Sequence, residues 1–190
     1  MNGKQLKNSI LQWAIQGKLV PQDPNDEPAS VLLERIRAEK ARLVKEKKIK
    51  KDKNESIIYR GEDNSYYEKF LATREVKCID EEIPFEIPAT WEWCRLLSIV
   101  SLLGDGIHGT PEYSEGGSVY FINGNNLFDG QILIKPDTKT VSKEEAVKHS
   151  RLLNESTVLV SINGTIGNIA FYSGENVILG KSTCYRHLYR

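Results

Sequence analysis

His108 stands three residues after Asp105, a spacing at which a carboxylate can orient an imidazole for general-base hydrolysis. No Gly-x-Ser-x-Gly elbow or activated cysteine accompanies the pair, so a histidine in this glycine-rich stretch reads as a contact or packing residue. Gly180-Lys181-Ser182-Thr183 has the ending of a phosphate-binding loop, but the first glycine of that motif would fall at 175, where Glu175 stands. A helix would also have to follow, and the residues after Thr183 alternate like a strand. Methyl transfer to adenine would require Asn or Asp followed by Pro-Pro and an aromatic residue, a string the sequence lacks. Metal-dependent nuclease chemistry wants Pro-Asp and, later, an acidic residue two before a lysine. Pro136-Asp137 is present, yet Glu144, Glu145, Glu155 and Glu175 all lack that lysine. The histidines lie far apart, and Cys78, Cys94 and Cys184 form no C-x-x-C pair, so the cysteines read as reduced structural thiols. The expectation is a chain with no catalytic residues, no metal and no cofactor.

What remains are three turns rich in Gly and Asn: Gly104 to Thr110, Asn123 to Asn126, and Asn163 to Asn168. They separate β-like apolar runs at Ser118 to Ile122, Gln131 to Ile134, Thr157 to Ile162, Asn168 to Tyr172, Asn176 to Leu179 and Thr183 to Leu188. Trp91 to Leu96, after a proline-extended lead-in, suits a first half-buried strand. Ser142 with Glu145 three residues later marks the start of a short helix running to His149.

The first part of the chain has a different period. Asn2 and Gln5 form a capping pattern for an amphipathic helix bearing Leu6, Ile10, Trp13 and Ala14 and ending at Gly17. Prolines between Pro21 and Pro28 force a turn. Ala29, Leu32, Leu33, Ile36 and Leu43 then make one stripe on a helix expected from about 28 to 51, roughly 35 Å long at about 1.5 Å per residue. That seam implies a partner helix, supplied either by the chain's own domain or by a second molecule. Residues 54 to 84, mixed in character and rich in tyrosine, read as a linker. The expected fold class is therefore α+β: a helical spacer over 1–53 with a coiled-coil-like long helix, a linker over 54–84, and a mixed, mostly β domain over 85–190. With 39% hydrophobic and 27% charged residues, no apolar leader and no run long enough to cross a bilayer, the chain is expected in the cytoplasm. A formal net charge of zero hides segregation: residues 1–53 hold 13 Lys or Arg against 7 Asp or Glu, and the remainder 13 against 19.

Several strings occur here in one order: Leu6 to Gln12, Gln16 to Gln22, Glu27 to Leu33, Pro88 to Trp93, Asp105 to Pro111, Phe121 to Asn126, Ser161 to Gly167 and Leu179 to Lys181. Together they closely resemble the specificity subunit of Type I restriction-modification systems. The resemblance implies a conserved helical spacer followed by a target recognition domain, its fold similar to the recognition domains of certain DNA adenine methyltransferases. Such subunits have no catalytic activity of their own. They usually hold two recognition domains in pseudo-twofold relation, read a bipartite site in double-stranded DNA, and dock methyltransferase subunits and, through them, the restriction subunit. This chain carries one such domain and stops at Arg190, in what resembles the middle of it. It is therefore expected either to be a half-subunit or fragment that forms a homodimer through the long helix, or to be a protein assembly module or a silent truncated cassette without DNA selectivity of its own.

Base edges in the major groove are read by side chains such as Asn, Arg, Lys, His and Thr, while much of the remaining contact goes to phosphate. The candidate DNA contacts are His108, Thr110 and Tyr113 on the first turn, Asn125 and Asn126 on the second, and the cations Lys135, Lys139, Arg151 and Lys181. Against that reading, Asn123, Asn125, Asn163 and Asn168 are also turn formers, and single surface cations also serve solubility. Leu32, Leu33, Ile36 and Leu43 are the candidate partner-helix interface. Residues 85–190 hold 9 Lys or Arg against 11 Asp or Glu, so this module should bind DNA weakly alone.

Overall fold

The structure, a computed structural model, describes residues 2–189; the end residues of the expected segments, Met1 and Arg190, lie outside it. The chain divides into two compact units, 1–99 and 100–190. Helices and several small sheets share the chain, which makes the fold class α+β.

In the first unit, α1 (Gly3–Ile15) opens with a capping box in which Asn2 Oδ1 accepts from Gln5 N at 2.9 Å and Gln5 Oε1 accepts from Asn2 N at 2.8 Å. It closes with Gly17 in the left-handed region, Gly17 N donating to Ala14 O and Lys18 N to Trp13 O. None of its residues is buried. The second helix, α2, spans Ala29–Lys45, about 25 Å at about 1.5 Å per residue, and is shorter than the sequence period suggested. It ends because Lys47 turns left-handed, and Lys47 N and Lys48 N then cap Val44 O and Leu43 O. The lysines beyond continue the charge pattern but not the helix. Of the α2 stripe, Ile36 is 3% exposed, and Leu32, Leu33 and Leu43 are half-buried. No long coiled-coil pair forms among the described residues.

Residues 56–78, expected within a linker, form a three-stranded antiparallel sheet of β1 (Ser56–Arg60), β2 (Tyr66–Phe70) and β3 (Val76–Cys78). The tyrosines that obscured the pattern hold it together. Tyr59 stacks on Tyr67 across the β1–β2 pair at 5.9 Å between ring centroids, and Tyr67 donates to Asp63 Oδ2 at 2.8 Å. Glu68, 3% exposed, accepts from Ser56 Oγ and from both Nε and Nη2 of Arg95. The guanidinium holds its carboxyl below the ordinary range. Trp91 to Leu96, expected as a strand, is not one: Trp91 N closes a turn on Pro88 O at 3.0 Å, Arg95 reaches Glu68 and Glu82, and the chain passes into a short 3₁₀ helix at Leu96–Ser98.

The second unit contains β4 (Val100–Asp105), β5 (Val119–Ile122), β6 (Leu127–Phe128), β7 (Gln131–Ile132), β8 (Thr140–Val141), α3 (Lys143–His149), β9 (Thr157–Ser161), β10 (Ile169–Phe171), β11 (Val177–Leu179) and β12 (Thr183–Leu188). A four-stranded sheet runs β10-β9-β12-β4, all antiparallel, and a three-stranded sheet runs β11-β5-β8, with β11 parallel to β5. Strand β9 alternates buried and half-buried residues, as a strand with one face on a core must. Ile122, Leu127, Leu159, Ala170 and Leu179 form one core cluster, and Val119, Val141, Ala146 and Ile178 a second. Ser142 Oγ caps α3 by accepting from Glu145 N at 3.1 Å. The three cysteines are free thiols.

Candidate functional site

Register decides where the three Gly/Asn turns go. Asp105 at the end of β4 lies opposite Cys184 near the start of β12, and Thr183 lies opposite Ser161 at the end of β9. The first and third turns therefore leave the four-stranded sheet at the end where β12 begins. The second turn follows β5, and Gly180, just after β11, donates to Ile122 O at 2.8 Å. All three turns meet at the short Gly180–Ser182 connection.

The joints are specific. Ile107 N donates to Leu179 O at 2.7 Å and Gly106 N to Thr183 O at 3.0 Å. A Cβ on Gly106 would stand 2.2 Å from Gly180 O and 2.3 Å from Leu179 O, so only glycine permits this approach. Gly124 N donates to Ser182 Oγ at 2.8 Å, and Ser182 Oγ donates to Asn123 Oδ1 at 3.0 Å. Ile162 N donates to Ser182 O at 2.9 Å, anchoring the third turn to the same residue. Side chains left exposed around this junction are His108, Thr110, Asn125, Asn163, Thr165 and Lys181.

Five of the nine candidate contacts line one cavity of about 140 Å³: Tyr113, Asn125, Asn126, Lys135 and Lys139, with Asp137 beside them. Lys135 Nζ donates to Asn125 O at 2.7 Å, which places the ammonium next to the exposed Asn125 amide. The Tyr113 ring tilts against Phe121 at 5.9 Å. His108 and Arg151 make a second group, His108 Nε2 lying 2.6 Å from Asp105 Oδ2 and Arg151 Nε donating to Asp105 O at 3.2 Å. The hydrogen bond with His108 is the main reason the Asp105 carboxyl titrates below its ordinary range, burial opposing it. Thr110 and Lys181 are exposed.

Asn126 departs from expectation. It is 4% exposed, its Oδ1 accepts from Asn123 N at 3.0 Å, and its Nδ2 donates to Leu133 O at 2.9 Å and Thr138 Oγ1 at 3.2 Å. With both amide hydrogens and one oxygen lone pair engaged inside the turn, the buried side chain is not presented to a base edge. Asn126 shapes the turn, and Asn125 is the residue of the pair that faces outward. Ser182 is the residue that reading the sequence missed. Its partners lie 58 and 59 positions away, so no local spacing could reveal it.

Two imidazoles hydrogen-bond to carboxylates, His108 to Asp105 and His149 to Glu145. Among the described residues no group of three His, Cys, Asp or Glu is placed to hold a metal ion, and no helix is long and apolar enough to cross a membrane. What the arrangement offers is a set of amide, hydroxyl, imidazole and ammonium groups on turns whose bases are fixed by partly buried hydrogen bonds.

No protein-family model matches the chain. It is 39% identical over 163 residues to the Type I restriction enzyme EcoAI specificity subunit of Escherichia coli, covering 86% of this chain and 24% of that protein. It is 34% identical over 161 residues to the EcoEI specificity subunit of the same organism, covering 84% of this chain and 24% of the relative. The chain thus spans about a quarter of the length of the curated relatives it matches. Across most of its own length, this chain is a sequence relative of the Type I restriction enzyme specificity subunits.

Proposed function

We propose that the chain is a non-catalytic DNA-reading component of a Type I restriction-modification complex, contacting one half of a bipartite site. The observation that carries this reading is the convergence of three Gly/Asn turns on Gly180–Ser182, with His108, Thr110, Asn125 and Lys181 left exposed around the junction. Rigid turns of this kind deliver hydrogen-bonding groups to base edges with little ordering cost at binding. Lys135 and Lys139 beside Asn125, and Arg151 beside His108, supply charge for phosphate. The slight acidity of residues 85–190 means that affinity has to come from the assembly, through methyltransferase subunits and, beyond them, the restriction subunit. A component of such a complex, acting on double-stranded DNA, would work in the cytoplasm.

A second reading, an assembly module without DNA selectivity, is favoured by one feature. Helix α1 leaves Leu6, Ile10 and Trp13 open, Trp13 at 55% exposure, a face suited to another subunit or to a second copy of the chain. Selection from a random-sequence duplex library, with the chain alone and mixed with methyltransferase subunits, separates the two. DNA reading predicts an enriched half-site in the mixture, with binding that falls steeply as salt rises. Complexes of defined mass that enrich no sequence would leave only the assembly role.

A further inference from the structure

The loop between β9 and β10 ends in a side chain that internal packing does not explain. Ile166 is 76% exposed, more than any other large hydrophobic residue among those described. Its loop is nevertheless closely held. Gly164 and Gly167 adopt φ of +74° and +90° with open space where a Cβ would be, so both serve the backbone path rather than a close contact. Gly167 N donates to Ser161 O at 2.9 Å, Asn168 N donates to Ser161 Oγ at 2.8 Å, and Ser161 Oγ donates in turn to Thr165 O. Ser161 is fully buried. The loop base is thus pinned, and Thr165 and Ile166 stand at its tip.

A turn that only closed a hairpin would carry polar residues there. This tip instead holds a β-branched aliphatic side chain with few rotamers to lose on contact. The Ile162 N–H bond to Ser182 O joins the loop to the junction that bears Lys181. An apolar probe therefore sits at the same end of the second unit as the amide and ammonium groups.

We propose that Ile166 packs against the 5-methyl group of one pyrimidine in the major groove, making it a specificity-determining residue at one position of the half-site. The inference rests on the DNA-reading role proposed above. Apolar contact is the means by which proteins read that methyl, and Ile166 offers a larger aliphatic surface for it than the single methyl of the candidate Thr110. Thymine and 5-methylcytosine both carry the group.

The test uses the chain assembled with methyltransferase subunits and duplexes carrying the selected half-site. Each thymine is replaced in turn by uracil, and each cytosine by 5-methylcytosine. Wild type should show one position at which loss of the methyl weakens binding about three- to fivefold, the effect of exposing one buried methyl. Ile166→Ser should abolish the difference at that position, while Ile166→Val should retain it. Sensitivity at a thymine names thymine as the target, and a gain at a methylated cytosine names 5-methylcytosine. Selective binding with no methyl-sensitive position, or methyl sensitivity unchanged in Ile166→Ser, would overturn the assignment and leave the DNA-reading role standing. Binding without any sequence selectivity would overturn both.

Discussion

Gly124 and Ser182, 58 residues apart, are joined by a 2.8 Å hydrogen bond from the Gly124 amide to the Ser182 hydroxyl, which in turn donates to Asn123 Oδ1. One hydroxyl thereby locks the second turn onto the connection that also anchors the first and third. Ser182→Ala removes an acceptor and a donor at once. It should cost about 1–2 kcal/mol in chemical denaturation and raise amide exchange at Gly124. Because the turn geometry is what the DNA-reading role depends on, half-site selectivity should fall further than stability does. Unchanged exchange at Gly124 would show that the turn holds without this bond.

Asn125 and Asn126 offer a sharper contrast, since they are adjacent and of one residue type. Asn126→Ala deletes three hydrogen bonds made by a buried amide and should destabilise by about 2–3 kcal/mol, measured by denaturant unfolding. Asn125→Ala removes an exposed amide and should change stability by less than about 0.5 kcal/mol. In a half-site binding assay Asn125→Ala should lose discrimination at one base pair, by roughly tenfold for one lost base contact. Equal stability losses in the two variants would contradict the burial difference.

The α3 helix carries a pH dependence of definite sign. Glu145 is held at about 2, below its ordinary 4.5, first by the hydrogen bond from Lys148 and then by those from Glu112 N–H and His149, with burial opposing. A carboxyl whose folded value is depressed contributes stability that is complete above its unfolded value and lost as pH falls toward the folded one. The contribution should therefore be intact above pH 4.5 and disappear between 4.5 and about 2. Glu145→Gln should be less stable than wild type at pH 7, with the gap closing across that window in a series of unfolding midpoints. A gap that stayed constant down to pH 2 would assign the stabilisation to shape rather than charge.

Local signals in the sequence were legible and distant ones were not. The Asn2–Gln5 and Ser142–Glu145 caps lie within one turn of backbone, and both helix starts fall where those residues put them. The β9 and β12 strands fall on the β-like runs read at Thr157 to Ile162 and Thr183 to Leu188. The end of α2 escaped because Lys47 takes the left-handed conformation usually left to glycine, while the stripe and the charges around it continue the helical pattern. The β1–β3 sheet escaped because its tyrosines and charged residues gain their place through partners that are not their sequence neighbours, Tyr59 with Tyr67 across the sheet and Glu68 with Arg95 beyond it. In the site, the three turns could be read as turns, but their convergence depends on Ser182 and on strand register, and neither leaves a mark in local spacing. Nor does residue type separate Asn125 from Asn126.

Two glycines of the first turn test whether that convergence is needed for recognition. Gly106 faces the carbonyls of Leu179 and Gly180, and a methyl there would come within 2.2 Å of backbone that cannot yield without breaking the Ile107 N to Leu179 O bond. Gly109, three residues on, has open space around it and no left-handed backbone to protect. Gly106→Ala should destabilise by about 1–3 kcal/mol, the range for overpacking against rigid neighbours, and should swing the segment bearing His108 and Thr110 away from the junction. Gly109→Ala should stay within about 0.5 kcal/mol of wild type. In the random-library selection with methyltransferase subunits, Gly106→Ala should fail to enrich the half-site at temperatures where it is still folded, while Gly109→Ala enriches it. A folded Gly106→Ala that reads the same site as wild type would show that recognition does not need the first turn docked on Gly180.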